Sequence, residues 1–116
     1  MKIVSESTLD AFRSALYCEW CGDRLRGKAH PHHVATKGIG GGGRIDHPLN
    51  IVSLCAFCHN EHHNGHRPLT CDLIATIAAR EGVLQDDVTG FVRDIRRLPR
   101  DTPLEEALKL VPKRKS

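Results

Sequence analysis

The sequence predicts a small α+β fold, and three observations lead there. Short, glycine-punctuated segments run from Cys18 to Gly43, two Cys-x-x-C pairs bracket a histidine-rich stretch, and helical periodicity takes over after His66. The chain has 116 residues, which suits one domain with a single core. Aromatic residues make up only 4% of it, and small domains with so little bulk to bury often add a metal or a disulfide as a staple.

Each element has its own signal. Ser7 is placed to cap a first helix, with Asp10 in its first turn and Leu9, Phe12 and Leu16 on one face. From Cys18 onward, Gly22, Gly27, Pro31 and the glycines between Gly38 and Gly43 predict turns and short strands. A brief apolar run, Ile51-Val52-Ser53-Leu54, precedes the second cysteine pair. Cys58 to His63 lacks Gly and Pro, and Gly65 and Pro68 follow it, so a short helix is expected there. Thr70 or Asp72 opens the next helix, which carries Leu73, Ile74, Ile77 and Ala78 on its apolar face and ends at Gly82. Asp86 or Asp87 opens another, with Val88, Phe91, Val92 and Ile95 buried and Pro99 as its stop. Thr102-Pro103-Leu104-Glu105 predicts a capping box with Pro at the first helical position and a last helix through Leu110. No internal repeat is present. A Cys/His core over 18–66 with a helical appendage over 70–111 therefore makes one domain of 1–116.

Composition narrows the setting. Met1 to Ala15 contains Glu6 and Asp10 and no continuous apolar run, so it does not read as a signal peptide, and no stretch approaches the ~18 apolar residues of a membrane span. A reducing cytoplasm is the expected location, where paired cysteines are more often metal ligands than disulfides. The net charge is +3, with Lys28, Lys37, Arg44 and Arg67 inside the Cys/His region and Lys113-Arg114-Lys115 closing the chain. That balance suits a phosphate-rich partner and equally suits ordinary solubilising charge.

Cys18-Glu19-Trp20-Cys21 and Cys55-Ala56-Phe57-Cys58 each point two thiolates from one tight turn. Together they supply the four soft donors of a closed tetrahedral zinc site. Gly22 directly after the first pair supports a knuckle turn. The rival use of the motif, a redox dithiol, would need only one pair. Thirty-three residues lie between Cys21 and Cys55, more than an ordinary zinc ribbon spans, so a segment is inserted between the knuckles. Cys71 has no partner in the pattern and is expected to be a small buried residue.

The insertion carries His32-His33, a glycine run and Asn50, and the second knuckle is followed by His59 and His63. In that order, between two zinc knuckles, these residues resemble the HNH endonuclease motif of the ββα-metal nucleases. The resemblance covers Cys18 to about His63, 46 residues, and leaves the N-terminal helix and everything beyond Pro68 outside it. It implies a ββα-metal core stapled by the four-cysteine structural zinc and flanked by helices. The implied activity is metal-dependent cleavage of DNA phosphodiester bonds, leaving a 5′ phosphate and a 3′ hydroxyl. By the same resemblance Asn50 holds the hairpin loop so that His33 is oriented. Small stand-alone members of this layout are frequent in bacteriophages beside DNA-packaging genes. A terminase or other DNA-processing partner, in a bacterial or infected-host cytoplasm, is thus a family-level expectation.

The residues make chemical sense beside the resemblance. His59 and His63 are i and i+4, so on a helix they share a face and can hold one divalent ion. His32 would be the third ligand, leaving an open position for a phosphate oxygen. His33 follows it, and neighbours on an extended strand point to opposite sides, so His33 can serve as general base away from the ion. The commonest family form has Asp where this chain has His32. Three neutral donors favour Zn²⁺, Ni²⁺ or Co²⁺ more than an Asp-containing site would, while Mg²⁺ and Mn²⁺ stay in play. In one alternative His63 is a bystander and water completes the set; in another His30 takes part. Otherwise His30, His47, His62 and His66 are expected to be solvated or hydrogen-bonded. Lys37 and Arg44, flanking the glycine run, are the expected phosphate contacts.

Nothing resembles a sequence-reading DNA-binding domain, so little sequence specificity is expected. The competing reading is a non-catalytic zinc-stabilised nucleic-acid-binding or adaptor module, which would need neither His33 beside His32 nor a histidine face on the following helix. Action on RNA or a branched junction is a third, because such a motif reads the phosphate backbone. Oligomeric state is not legible.

Overall fold

A computed structural model describes residues 2–34 and 45–113, and Lys37, Arg44 and the glycine run lie outside those residues. Among the described residues the fold is α+β, with one two-stranded antiparallel sheet and five α-helices. Helix α1 (Glu6–Arg13) leads to strand β1 (His30–His33). A 3₁₀ turn (Pro48–Asn50) feeds strand β2 (Ile51–Leu54). Then come α2 (Ala56–His63), α3 (Thr70–Glu81), α4 (Gln85–Arg97) and α5 (Leu104–Leu108).

Helix α1 starts earlier than its sequence suggests. Ser5, not Ser7, is the N-cap, its hydroxyl accepting the Thr8 N–H at 3.3 Å. The reason is tertiary: the Ser5 N–H is held by the Asp46 carboxylate at 2.8 Å, which fixes Ser5 in extended geometry and sends the chain into the helix at Glu6. Leu9 is buried as expected. Leu16 is not, since the helix stops at Arg13 and leaves that side chain 60% exposed.

The two strands pair with His30 opposite Leu54, His32 opposite Val52 and His33 opposite Ile51. Strand β2 is buried along its whole length, whereas on β1 His32 is buried and His30 is exposed. A parallel bridge from Ile3 to Ile45 adds the N-terminal residues to this region. Helix α2 begins after Cys55 and ends at Asn64, with Gly65 turning the chain at a φ of +80° that suits glycine.

Helices α3 and α4 begin at Thr70 and Gln85, each after an apolar residue rather than an N-capping one. The acidic residue lies inside the first turn and reaches back: Asp72 accepts the Leu69 N–H at 2.8 Å and Asp87 accepts the Leu84 N–H at 2.9 Å. Gly82 ends α3 in left-handed geometry. The expected capping box of α5 is absent. The Thr102 N–H is taken by the Pro99 carbonyl in a turn, Pro103 becomes the N-cap without a side-chain hydrogen bond, and the helix ends at Leu108.

One apolar cluster joins the sheet to the C-terminal helices. Val52 and Leu54 of β2 and Leu73, Ile77, Val88, Phe91 and Ile95 of α3 and α4 all belong to it, along with Cys18 and Cys58. Each such aliphatic side chain contributes about 1.5–3 kcal/mol by leaving water. Two arginines add polar ties. Arg80 of α3 donates to Glu19 at 2.7 Å, to the Ile51 carbonyl at 3.0 Å and to the Pro48 carbonyl, and lies over the Phe12 ring. Arg67 covers Trp20 at 5.1 Å and grips Asp72 with two nitrogens. Cys71, expected inside, is exposed, because it sits on the outer side of α3. Among the described residues no helix is long and apolar enough to cross a membrane.

Candidate metal centres

The first centre is the set Cys18, Cys21, Cys55 and Cys58, whose sulfurs converge closely enough to hold a structural metal ion such as zinc. Each pair is shaped by its own local turn. After Cys21, Gly22 donates its N–H to the Cys18 carbonyl at 3.0 Å with a φ of +80°, closing the first knuckle. In the second, Cys55 is the N-cap of α2, and its sulfur accepts the Cys58 N–H at 3.3 Å. Cys21 Sγ and Cys55 Sγ stand 3.9 Å apart. Two thiolates on one tetrahedral zinc, with Zn–S near 2.3 Å, stand about 3.8 Å apart.

The donors also fit electrostatically. Burial works against ionising Cys18, yet the backbone N–H groups of Cys21, Cys55 and Trp20 outweigh it and bring the thiol down to about 7. Burial raises Cys21, and burial with the neighbouring sulfurs raises Cys58. One thiolate thus forms readily, and a cation is what would let Cys21 and Cys58 follow. The first knuckle is anchored to β2 by Ser53, which donates its N–H to Glu19 Oε2 at 2.6 Å and receives the Glu19 N–H at 2.9 Å.

The second centre is His32, His59 and His63, each offering a ring nitrogen within 4.8 Å of the others. Strand β1 carries the first and α2 the other two, one helical turn apart. His59 Nε2 and His63 Nε2 are 3.0 Å apart. His32 Nε2 is buried with no hydrogen-bond partner among the described residues, an arrangement that costs about 1–3 kcal/mol unless something accepts its lone pair. Burial first, then the nearby imidazoles of His62, His59 and His63, push His32 down to about 3, so it is a neutral donor. Burial and the neighbouring histidines lower His59 too. An orphaned neutral nitrogen facing two more imidazoles is a set that fits a divalent ion.

The remaining histidines have definite partners. His30 Nδ1 lies 3.2 Å from His59 Nδ1, the nitrogen of that ring facing away from His63. His62 Nδ1 donates to the Pro68 carbonyl at 2.7 Å, and His66 pairs with Glu61. His47 Nδ1 accepts the Leu49 N–H at 3.1 Å and its ring packs on Phe91.

His33 leaves β1 on the other side from His32 and meets a residue that sequence reading missed. Its Nε2 lies 2.7 Å from Asp46 Oδ1, whose side chain is fully buried. Asn50, also fully buried, donates through Nδ2 to the Ile45 carbonyl at 3.0 Å, holding the chain beside Asp46. No local spacing announces Asp46, which lies thirteen residues from His33. An Asp in a polar-poor stretch, Ile45-Asp46-His47-Pro48-Leu49, was the available hint.

A cleft of about 380 Å³ opens beside His59, lined by Arg13, Lys28, Ala29, His30 and Pro31. A larger concavity of about 420 Å³ lies against α3 and α4, is mostly apolar with Arg93, Arg96 and Arg97 among its lining residues, and contains none of the clustered cysteines or histidines. Comparison with family models, curated proteins and solved structures found no match.

Proposed function

We propose that the chain is a metal-dependent endonuclease of the HNH type that hydrolyses DNA phosphodiester bonds with little sequence preference. One observation carries the reading: His32 converges with His59 and His63 on one side of β1, while His33, the next residue, emerges on the other and is held in place. A metal staple alone would not need the second cluster. The cleft beside His59, with exposed Lys28 and with Arg13 bridged to Asp10 and Glu6, gives a phosphate backbone a place to approach.

In this mechanism His32, His59 and His63 would hold the divalent ion, and Cys18, Cys21, Cys55 and Cys58 a structural zinc. A divalent ion held by these three histidines would supply positive charge to offset that developing on the phosphate and the departing oxygen. His33 accepts a proton from water as the water oxygen bonds to phosphorus. The bond from phosphorus to the 3′ oxygen breaks opposite to it, and that oxygen takes up a proton from solvent, so a 5′ phosphate and a 3′ hydroxyl result. Asn50 fixes the segment at Ile45 that borders His33.

Nicking of supercoiled plasmid tests this directly. The protein is chelated, repleted with Mg²⁺, Mn²⁺, Ni²⁺ or Zn²⁺, and compared with His33→Ala. Open-circle DNA that depends on added ion, and falls about 10²–10⁴-fold in a folded His33→Ala protein, is the expected result. Binding of DNA with an intact plasmid under every ion would favour the zinc-stabilised adaptor instead.

A further inference from the structure

We propose that Asp46 is a positioning residue of the hydrolytic site, setting the tautomer of His33, and that residues 3–5 belong to that site because they hold Asp46. The inference rests on the reading of His33 as the base. Asp46 is gripped on every side the structure describes. Its Oδ1 is 2.7 Å from His33 Nε2, its Oδ2 accepts the Ser5 N–H at 2.8 Å, and its own N–H donates to the Ile3 carbonyl at 2.8 Å. Next to it, Asn50 holds the Ile45 carbonyl at 3.0 Å. The side chain has no exposed surface, so its two oxygens are aimed by the fold and not by solvent.

An ionised carboxylate only accepts hydrogen bonds, so His33 must carry a proton on Nε2. Its remaining lone pair is on Nδ1, which becomes the atom that takes the proton from water. Two parts of the chain thus gain roles. Asn50 acts on His33 through the Ile45–Asp46 backbone, and the N-terminal residues, which the HNH resemblance leaves out, complete the support by way of Ser5.

Asp46→Asn separates this role from simple packing. The Ser5 N–H demands an acceptor, so the amide oxygen of the new side chain faces Ser5 and its NH₂ faces His33. That forces the His33 proton onto Nδ1 and removes the lone pair from the reaction. In serine hydrolases the same exchange behind the catalytic histidine lowers turnover about 10⁴-fold through the wrong tautomer.

The experiment is ¹⁵N NMR of the histidine rings, with His33 assigned by loss of its signals in His33→Gln, at a pH high enough for the ring to be neutral. Plasmid nicking by the same zinc-loaded proteins runs alongside. Expected are an Nε2–H tautomer in the wild type and an Nδ1–H tautomer in Asp46→Asn. The variant's kcat falls about 10²–10⁴-fold with KM within about twofold, and Asp46→Glu recovers part of it. An Nδ1–H tautomer in the wild type, or wild-type kcat in Asp46→Asn, overturns the proposal. If the wild type nicks nothing with any ion, the endonuclease reading fails. The spectra alone then decide whether Asp46 sets the His33 tautomer. Should Asp46→Asn not fold, the wild-type tautomer and the kcat of Asp46→Glu carry the decision.

Discussion

Cys58 and His59 are neighbours on α2, yet they serve different clusters under different protection. Cys58 is 3% exposed and joins three other sulfurs, two of them on a knuckle 37 and 40 positions earlier. His59 is half-buried and joins one buried and one exposed histidine. Four protein thiols complete a tetrahedron and leave no room for a substrate; three imidazoles with an open flank leave a position free. Adjacent residues on one helix thus separate a four-sulfur cluster, tied into the core, from a three-histidine cluster at its edge.

The strongest way to break this contrast is Cys58→Ser. Apparent zinc binding in small zinc modules is worth about 10–16 kcal/mol, as much as a domain's whole stability. The expected result is loss of bound zinc and of the cooperative thermal transition by circular dichroism. His59→Ala should do the opposite. Elemental analysis is expected to find the cysteine-bound zinc retained and the second ion lost. Thermal unfolding stays cooperative, while plasmid nicking drops more than about 10²-fold. If His59→Ala unfolds the chain as Cys58→Ser does, the two centres are not distinct in kind.

Arg80→Ala sharpens the first half of the comparison by cutting the ties that hold α3 to the first knuckle and to the chain around β2. It takes one partner from Glu19, which keeps the Ser53 N–H, and the guanidinium from two backbone carbonyls, costing about 2–3 kcal/mol and lowering the melting temperature by about 10 °C with zinc still bound. The smallest effect concerns His47. Burial lowers its pKa below the ordinary imidazole value of 6.5, so as pH falls below that value the unfolded chain takes up a proton that the folded one resists. Its contribution to stability is complete above the unfolded pKa and shrinks as pH falls toward the folded one. His47→Asn keeps an acceptor for the Leu49 N–H and should flatten the loss, seen as a smaller shift in urea midpoint between about pH 7 and about pH 5.5.

What could be read from the chain, and what could not, follows the same physical division. The cysteine pairs and the His59–His63 spacing are local: two thiols on one turn, two imidazoles one helical turn apart. Strand alternation separated His32 from His33 in advance for the same reason. The choice of Ser5 over Ser7 as cap was not legible, because a carboxylate 41 residues away makes it. Asp46 itself was missed because its meaning depends on which strand face it meets. Cys71 was misplaced by treating an unpaired cysteine as a hydrophobe, when its helix turned that position to solvent. Local chemistry was visible; the partners that orient it come from distant sequence.

Arg80 has a consequence for how the protein is made. Every cysteine and histidine of both clusters lies between residues 18 and 63, whereas the guanidinium that binds Glu19 follows it by 61 positions. On the ribosome all the donors emerge before the clamp does. Metal capture can thus precede completion of the core, and the long-range loop from Glu19 to Arg80, the slow kind in folding, can close onto a knuckle whose donors are already in place.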